Sequence, residues 1–186
     1  MKRTLLGALA AAILTASAFA QSSEVGQRNE NQQDRIAQGL KSGQLTAGET
    51  ANLEKKDSAI NQEVHADRAL NGGKLTAAER AQVNQQQNKV SGQIYNDKHN
   101  AATQHYGNNE VDARRENQQD RIADGIASGK LNAAQTARIE KGEAAINHEV
   151  HTDRSLNGGK LTPGERKTVN QQQNVASNKI YRAKHK

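Results

Sequence analysis

The chain contains the same unit twice, and this duplication limits the folds that are open to it. Residues 30–99 align with residues 116–185 at a constant offset of 86, without a gap, and 45 of the 70 pairs are identical. The segment ENQQDRIA opens both copies, LNGGKLT and VNQQQN lie in their middles, and IY followed by KH closes them. A repeated sequence unit predicts a repeated structural unit.

Apolar residues recur within each copy at the spacing of an α-helix. Leu53, Ile60 and Val64 share one stripe, and Val83, Val90 and Ile94 share another. The second copy repeats both stripes with Ile139, Ile146, Val150, Val169 and Ile180. The pattern predicts helices over about 29–41, 47–70, 77–98, 115–127, 133–156 and 163–184. We therefore expect an all-α protein, with two tandem three-helix repeat units joined by a flexible linker.

The predicted helix ends carry capping signals. A Ser or Thr with Glu three residues later can satisfy the free backbone N–H groups of the first helical turn. Pro163 falls at a first helical position, where its missing N–H costs nothing, and glycines follow the helices where a left-handed turn is needed. The capping pairs are Thr46 with Glu49, Thr76 with Glu79, Thr162 with Glu165, and the polar variant Asn132 with Gln135.

The first twenty residues have the pattern of a secretory signal peptide. Lys2 and Arg3 precede an apolar run over residues 5–18, and Ala18 and Ala20 are the small residues of a cleavage site. The apolar run is shorter than the roughly 20 residues that span a bilayer. We therefore predict export, a periplasmic or secreted location and no membrane span. Removal of this segment lowers the formal net charge from +6 to +4.

The rest of the chain can be divided into segments from its composition and its local motifs. The chain has no cysteine, so disulfides do not hold the fold, although the predicted compartment would permit them. The segment YGNN between the copies is typical of a linker. The predicted parts are a signal peptide at 1–20, a flexible N-terminus at 21–28, repeat 1 at 29–99, a linker at 100–115 and repeat 2 at 116–186.

Polar residues interrupt the apolar stripes at equivalent positions. Asp57 and its counterpart Glu143 lie between apolar positions of the second predicted helix of each copy. Gln87 and its counterpart Gln173 do so in the third. They either make buried polar contacts that fix the register between helices, or lie at the solvated edge of the stripe. We favour the solvated edge, because buried polar groups without partners are costly. The surrounding NQQQN segments are interpreted as an exposed helix face.

The loops resemble the calcium loop of an EF-hand only in part. Gly73, Leu75 and Glu79 match its glycine, aliphatic and final glutamate positions. The early positions, where calcium needs oxygen ligands, hold Arg68, Leu70 and Gly72. This pattern favours a helix stop followed by a capping box, without calcium.

Histidines give the candidate metal ligands. His148 and His151 are three residues apart on a predicted helix, so they share a face and could bind a transition metal, with Asp153 nearby. His65 and Asp67 are the counterparts in the first copy, where Gln62 replaces His148. We favour the alternative that these are exposed surface histidines. No cofactor is predicted.

Motifs for catalysis and for nucleic-acid binding are missing from the sequence. It contains no cysteine nucleophile, no GxSxG turn and no phosphate-binding glycine loop. The positive charges are interspersed with acids, and three tyrosines outside the signal segment offer little surface for stacking bases. We therefore predict no catalytic residue, no enzymatic activity and no nucleic-acid partner.

The combination of SGxLT, GGKLTxxER, NQQQN and IYxxKH after a signal peptide resembles uncharacterised exported tandem-repeat helical proteins of Burkholderia and related Gram-negative bacteria. The resemblance implies export and adds no catalytic residue. We expect a non-enzymatic binding or interaction module that acts through its surface, with a protein, envelope or host partner. An exposed antigen is a further option. The alternative is periplasmic metal binding or sequestration through the helix-borne His and Asp residues. The oligomeric state is left open.

Overall fold

The chain forms six α-helices in a computed structural model that describes residues 10–185, with side chains described from residue 24 onward. No strand occurs in the described part of the chain, so the all-α prediction is confirmed. The predicted signal peptide remains a prediction, and its first nine residues lie outside the described residues. The helices are α1 (Ala10–Lys41), α2 (Ala47–Leu70), α3 (Ala77–Lys98), α4 (Glu110–Ala127), α5 (Ala133–Leu156) and α6 (Pro163–Lys184).

The capping signals act as the sequence predicts. At α2 the Thr46 backbone N–H donates to Glu49 Oε2 at 2.8 Å, and the Glu49 N–H donates to Thr46 Oγ1 at 3.3 Å. The same reciprocal pair begins α3, α5 and α6, and Pro163 is at the start of α6. Glycines with positive φ follow the helices at Gly43, Gly72, Gly73, Gly129, Gly158 and Gly159.

Two helices begin earlier than the sequence indicated. Residues 21–28, expected to be a flexible N-terminus, lie within α1, where Val25 is buried. Helix α4 begins at Glu110, inside the expected linker, because the Asn109 side chain accepts a hydrogen bond of 3.1 Å from the Asp112 N–H. Only residues 99–109 separate α3 from α4.

The connecting segment runs against the first copy. The Gln104 N–H donates to the Gly43 carbonyl at 2.8 Å, and the Gln104 side-chain oxygen accepts from the Ala47 N–H at 3.2 Å. These bonds fasten the segment to the turn between α1 and α2.

Equivalent helices of the two copies pack against each other. The most extensive contact is between α2 and α5, followed by that between α1 and α4, while α3 and α6 pack outside them. Contact between equivalent helices indicates an approximate twofold relation between the copies. One core cluster contains Ile36, Leu53 and Ile94 of the first copy with Ile122 and Ile180 of the second. The copies therefore share a hydrophobic core.

The interpretation of the interrupting polar residues as solvated is wrong. Asp57, Glu143 and Gln173 are 1% exposed and Gln87 is 2% exposed. The glutamines find partners on neighbouring helices, whereas the carboxyl groups lie where α2 meets α5. The NQQQN segments are therefore only partly an exposed face, with Gln85 exposed and Gln87 buried.

None of the helices within residues 10–185 combines the length and the apolar character that crossing a bilayer would require.

Candidate ligand-binding cleft

A cleft of about 690 Å³ opens where the N-terminal end of α2 meets α5. Its walls come from the first copy, the connecting segment and the second copy. Among the described residues that line it, none is Asp or Glu. Its charged and imidazole side chains are Arg115, Arg154, His105, His148 and His151.

One buried carboxylate orients the two arginines. Asp112 is 2% exposed, and its Oδ1 accepts from Arg115 Nη1 at 2.9 Å and from Arg154 Nη1 at 3.1 Å. Its Oδ2 accepts from Asn109 Nδ2 at 2.5 Å. Burial alone would raise the pKa of Asp112, but the bonds from Arg154, Asn109 and Arg115 outweigh it and hold this pKa below its usual value. The Asp112 carboxylate is therefore ionised and balances only one of the two guanidinium charges.

Further contacts fix Arg115 in place. Its Nε donates to Asn147 Oδ1 at 2.6 Å, and its guanidinium carbon lies 5.4 Å from the centre of the Tyr106 ring. A cation over an aromatic face is stabilised by the ring quadrupole. Burial raises the pKa of the Tyr106 hydroxyl, against the opposing effect of Arg115, so this tyrosine stays neutral near pH 7. Arg115 is thus positioned from three sides.

The first copy lacks this arrangement. The positions equivalent to Asp112 and Arg115 are Gly26 and Asn29, although Arg68 is equivalent to Arg154. A separate hollow of about 450 Å³ lies at this place in the first copy, beside His65 and Arg68. The pair of arginines held by a buried carboxylate therefore occurs only in the second copy within the described residues, and assigning residues 100–115 to a linker concealed it. The sequence did indicate that the repeat begins earlier, because Glu24, Val25 and Arg28 match Glu110, Val111 and Arg114 upstream of the aligned block.

Only some of the predicted metal ligands line a cleft, and those of the two copies lie at separate places. His148 and His151 line the same cleft and are exposed, and neither imidazole has a hydrogen-bond partner among the described residues. Asp153 does not line it. In the first copy His65 lines the smaller hollow and Asp67 does not. Within the described residues, no group of three or more His, Asp or Glu is placed to hold a metal ion.

His105 is a cleft residue that the sequence did not indicate. It lies on the connecting segment, where its Nε2 is 2.8 Å from Thr103 Oγ1. Only the fold of this segment brings it to the same cleft as His148.

Comparison with protein families, with curated proteins and with solved structures finds no match to this chain. The interpretation of the cleft therefore rests on its own geometry and charge.

Proposed function

We propose that this protein is an exported, non-enzymatic binding protein, and that the cleft between the copies takes a carboxylate or phosphate group of its ligand. The observation that carries the proposal is the pair Arg115 and Arg154, held by one buried Asp112 in a cleft whose described lining contains no acid. One positive charge of this pair is left unbalanced by Asp112.

Guanidinium chemistry suits such a ligand. Arginine presents five N–H donors in a planar fork that matches carboxylate and phosphate oxygens. The bonds to Asp112, Asn147 and Asn109 use two N–H groups on each of the two arginines. Donors on both side chains are thus left for a ligand, and the protein contacts already hold them in place, which lowers the entropic cost of binding.

The N-terminal end of α2 forms one wall of the cleft. Thr46, Ala47 and Gly48 line it, and the Glu49 carboxylate, which accepts a hydrogen bond from the Thr46 N–H at 2.8 Å, offsets the partial positive charge of this helix end. Gly48 has no side chain, and apart from the adjacent backbone of its own helix no described heavy atom lies within 4 Å of the place that a Cβ would take, so a ligand can approach the backbone there.

Binding without catalysis fits the groups that line the cleft. The hydroxyl–imidazole contact between Thr103 and His105 has the distance of a nucleophile and its base. Both residues are exposed, and no third group among the described residues orients the His105 ring from its other nitrogen. A catalytic triad needs that third group.

The proposed partner is a protein or an envelope component that presents carboxylate or phosphate groups in the periplasm or outside the cell. Complementary charge accelerates association with such a surface, and salt weakens it. Because the copies share a core, we expect them to act as one binding body.

Titration calorimetry at low ionic strength tests the proposal, with citrate and inorganic phosphate as probes. We expect citrate to bind and Arg154→Gln to weaken it at least about tenfold, because one fixed guanidinium is lost. Arg68→Gln is the matched control in the first copy and should bind citrate like the wild type. Circular dichroism checks that both variants are folded. The absence of binding heat with both probes at about 10 mM would contradict the proposal. An equal loss of citrate affinity in Arg68→Gln would contradict it too.

Metal binding is the second candidate, favoured by the unpartnered imidazoles of His148 and His151 in one cleft. Two histidines on one helix face can chelate zinc, copper or nickel. Calorimetry with each metal alone should show binding that is lost in a His148→Gln variant and kept in His65→Gln. No heat from any metal up to about 100 µM would remove this candidate.

A further inference from the structure

Four carboxyl side chains are buried where α2 packs along α5. Glu54 and Asp57 come from α2, Glu140 and Glu143 come from α5, and none is more than 1% exposed. Glu54 is equivalent to Glu140, and Asp57 to Glu143, so the approximate twofold brings the acids of one copy towards those of the other. Glu54 and Glu140 are close enough to act on each other electrostatically. We call these four residues the carboxyl cluster.

The carboxyl cluster has fewer hydrogen-bond donors than its charge would need. Gln33 Nε2 donates to Glu54 Oε2 at 3.1 Å and to Asp57 Oδ2 at 2.9 Å, and Gln119 Nε2 donates to Glu140 Oε2 at 3.2 Å. Among the described residues, one oxygen on each of these three acids and both oxygens of Glu143 have no hydrogen-bond partner. A buried carboxylate without donors is strongly disfavoured, whereas a protonated carboxyl carries its own donor.

The groups that face the carboxyl cluster do not neutralise it. From α4, the guanidinium groups of Arg115 and Arg121 act on Glu143. From the connecting segment, the neutral Tyr106 hydroxyl lies near Glu140 and Glu143. From α1, the facing group is the uncharged amide of Gln33.

We propose that the carboxyl cluster is a proton-operated lock between the two copies: protonated, it lets α2 and α5 pack together, and ionised, it loosens their contact. Protonation removes the repulsion between the four acids and supplies the donors that their unpartnered oxygens lack. Ionisation leaves several negative charges in a buried interface, which the two nearby arginines on one side do not balance.

The titration of these groups has the direction that the lock requires. Burial raises the pKa of Glu54 to about 8, where Gln33 opposes the effect and Asp57 adds to it. Burial likewise raises the pKa of Asp57 to about 6 and that of Glu143 to about 7, and it raises the pKa of Glu140 well above its usual value. Since the folded state holds protons that the unfolded chain has lost, stability falls as the pH rises from about 4.5 to about 8.

The lock also bears on the cleft, and this part rests on the proposed function. The N-terminal end of α2 and the C-terminal half of α5 both line the cleft, and the carboxyl cluster lies between the same two helices. Loosening of α2 from α5 would therefore separate the cleft walls, so anion binding should weaken at alkaline pH.

Urea unfolding of the protein between pH 5 and pH 9, without ligand, tests the lock. We expect the unfolding equilibrium constant of the wild type to rise by at least about tenfold from pH 5 to pH 8. In a Glu54→Gln, Glu140→Gln double variant, the change in the logarithm of this constant from pH 5 to pH 8 should be at most half that of the wild type. Glutamine mimics a protonated acid that cannot ionise. Glu30→Gln, at an exposed acid of α1, should keep the wild-type slope. A flat wild-type profile, or an unchanged slope in the double variant, overturns the proposal.

A distance measurement tests the loosening itself and does not depend on the glutamine variants folding. The chain has no cysteine, so Gln85→Cys and Gln171→Cys place one spin label on the exposed face of α3 and one on that of α6. We expect one narrow distance distribution at pH 5 and a longer or broader one at pH 9, while circular dichroism still shows helix. An unchanged distribution up to pH 9 overturns the lock. Neither experiment uses an anion, so a failure of citrate binding leaves both results interpretable.

Discussion

The side-chain amide of Gln87 donates a hydrogen bond of 3.0 Å to the backbone carbonyl of Val25, and so joins α3 to α1. Gln173 and Val111 make the same bond at 2.9 Å in the second copy. From the other side, Gln32 donates to the Gln87 carbonyl at 2.6 Å. Each copy thus fixes the register of its first and third helices with buried amides at equivalent positions.

Replacement of Gln87 by alanine should destabilise the protein by about 1–3 kcal/mol, because a buried amide contact and its packing are lost together. Denaturant unfolding at constant pH measures the change. Gln85→Ala, two residues away on the exposed face of α3, serves as the control and should stay within about 0.5 kcal/mol of the wild type. Equal effects of the two substitutions would contradict the role assigned to Gln87.

Asp112→Asn should cost roughly 3 kcal/mol, because it removes the buried carboxylate that pairs with Arg115 and Arg154. The hydrogen bonds that lower the pKa of Asp112 contribute stability above its usual pKa, and this stability is lost as the pH falls through the lowered value. The variant should therefore lose less stability below pH 4 than the wild type does. Urea unfolding from pH 2 to pH 7 measures both effects.

Asp124 provides the contrast on the same helix. Its ion pair with Lys41 spans 3.3 Å, and both side chains are about 60% exposed. Asp124→Asn should therefore change stability by less than about 1 kcal/mol, since water screens an exposed pair. If Asp124→Asn lowered stability as much as Asp112→Asn does, burial would not be what distinguishes the two ion pairs.

Gly39→Ala should destabilise the protein by about 1–3 kcal/mol, because its Cβ would lie 2.7 Å from Leu45 Cγ and Cδ1. The close approach lets Leu45, which is fully buried, fold back over the end of α1. Gly92→Ala is the matched control. Apart from the adjacent backbone of its own helix, no described atom lies within 4 Å of the added Cβ, and a helical alanine should stabilise by about 0.5–1 kcal/mol. Thermal unfolding shows whether each substitution lowers or raises the melting temperature.

Thr76→Ala should cost about 1 kcal/mol through loss of the cap of α3, and Thr76→Ser should restore most of it. The Thr76 hydroxyl accepts from the Glu79 N–H at 3.3 Å, and serine offers the same oxygen. Thermal unfolding of the two variants side by side checks the order. Serine and alanine variants of equal stability would show that the cap contributes nothing.

The sequence predicted four of the six helices to the residue at both ends, and it did so from local signals. Thr46 with Glu49 acts within the first turn of α2, and Pro163 acts within the first turn of α6. The glycines that follow α5 act within one turn of its end. The errors fell at the starts of α1 and α4. The start of α4 carries a local signal, the Asn109 cap of the Asp112 N–H, which the assignment of residues 100–115 to a linker passed over. Burial of Val25 in α1 depends instead on Gln87, 62 residues further along the chain, and such a contact leaves no local pattern.

The sequence by itself determined the all-α fold, the duplication and most helix ends, because these depend on residues within a few positions of each other. Tertiary structure decided that α2 packs on α5, that Asp57 and Glu143 are buried, and that His105 joins His148 in one cleft. Whether a polar residue beside an apolar stripe meets water or another helix depends on which faces come together. That choice is made by packing between distant segments, and each helix is compatible with either outcome until its partner is in place.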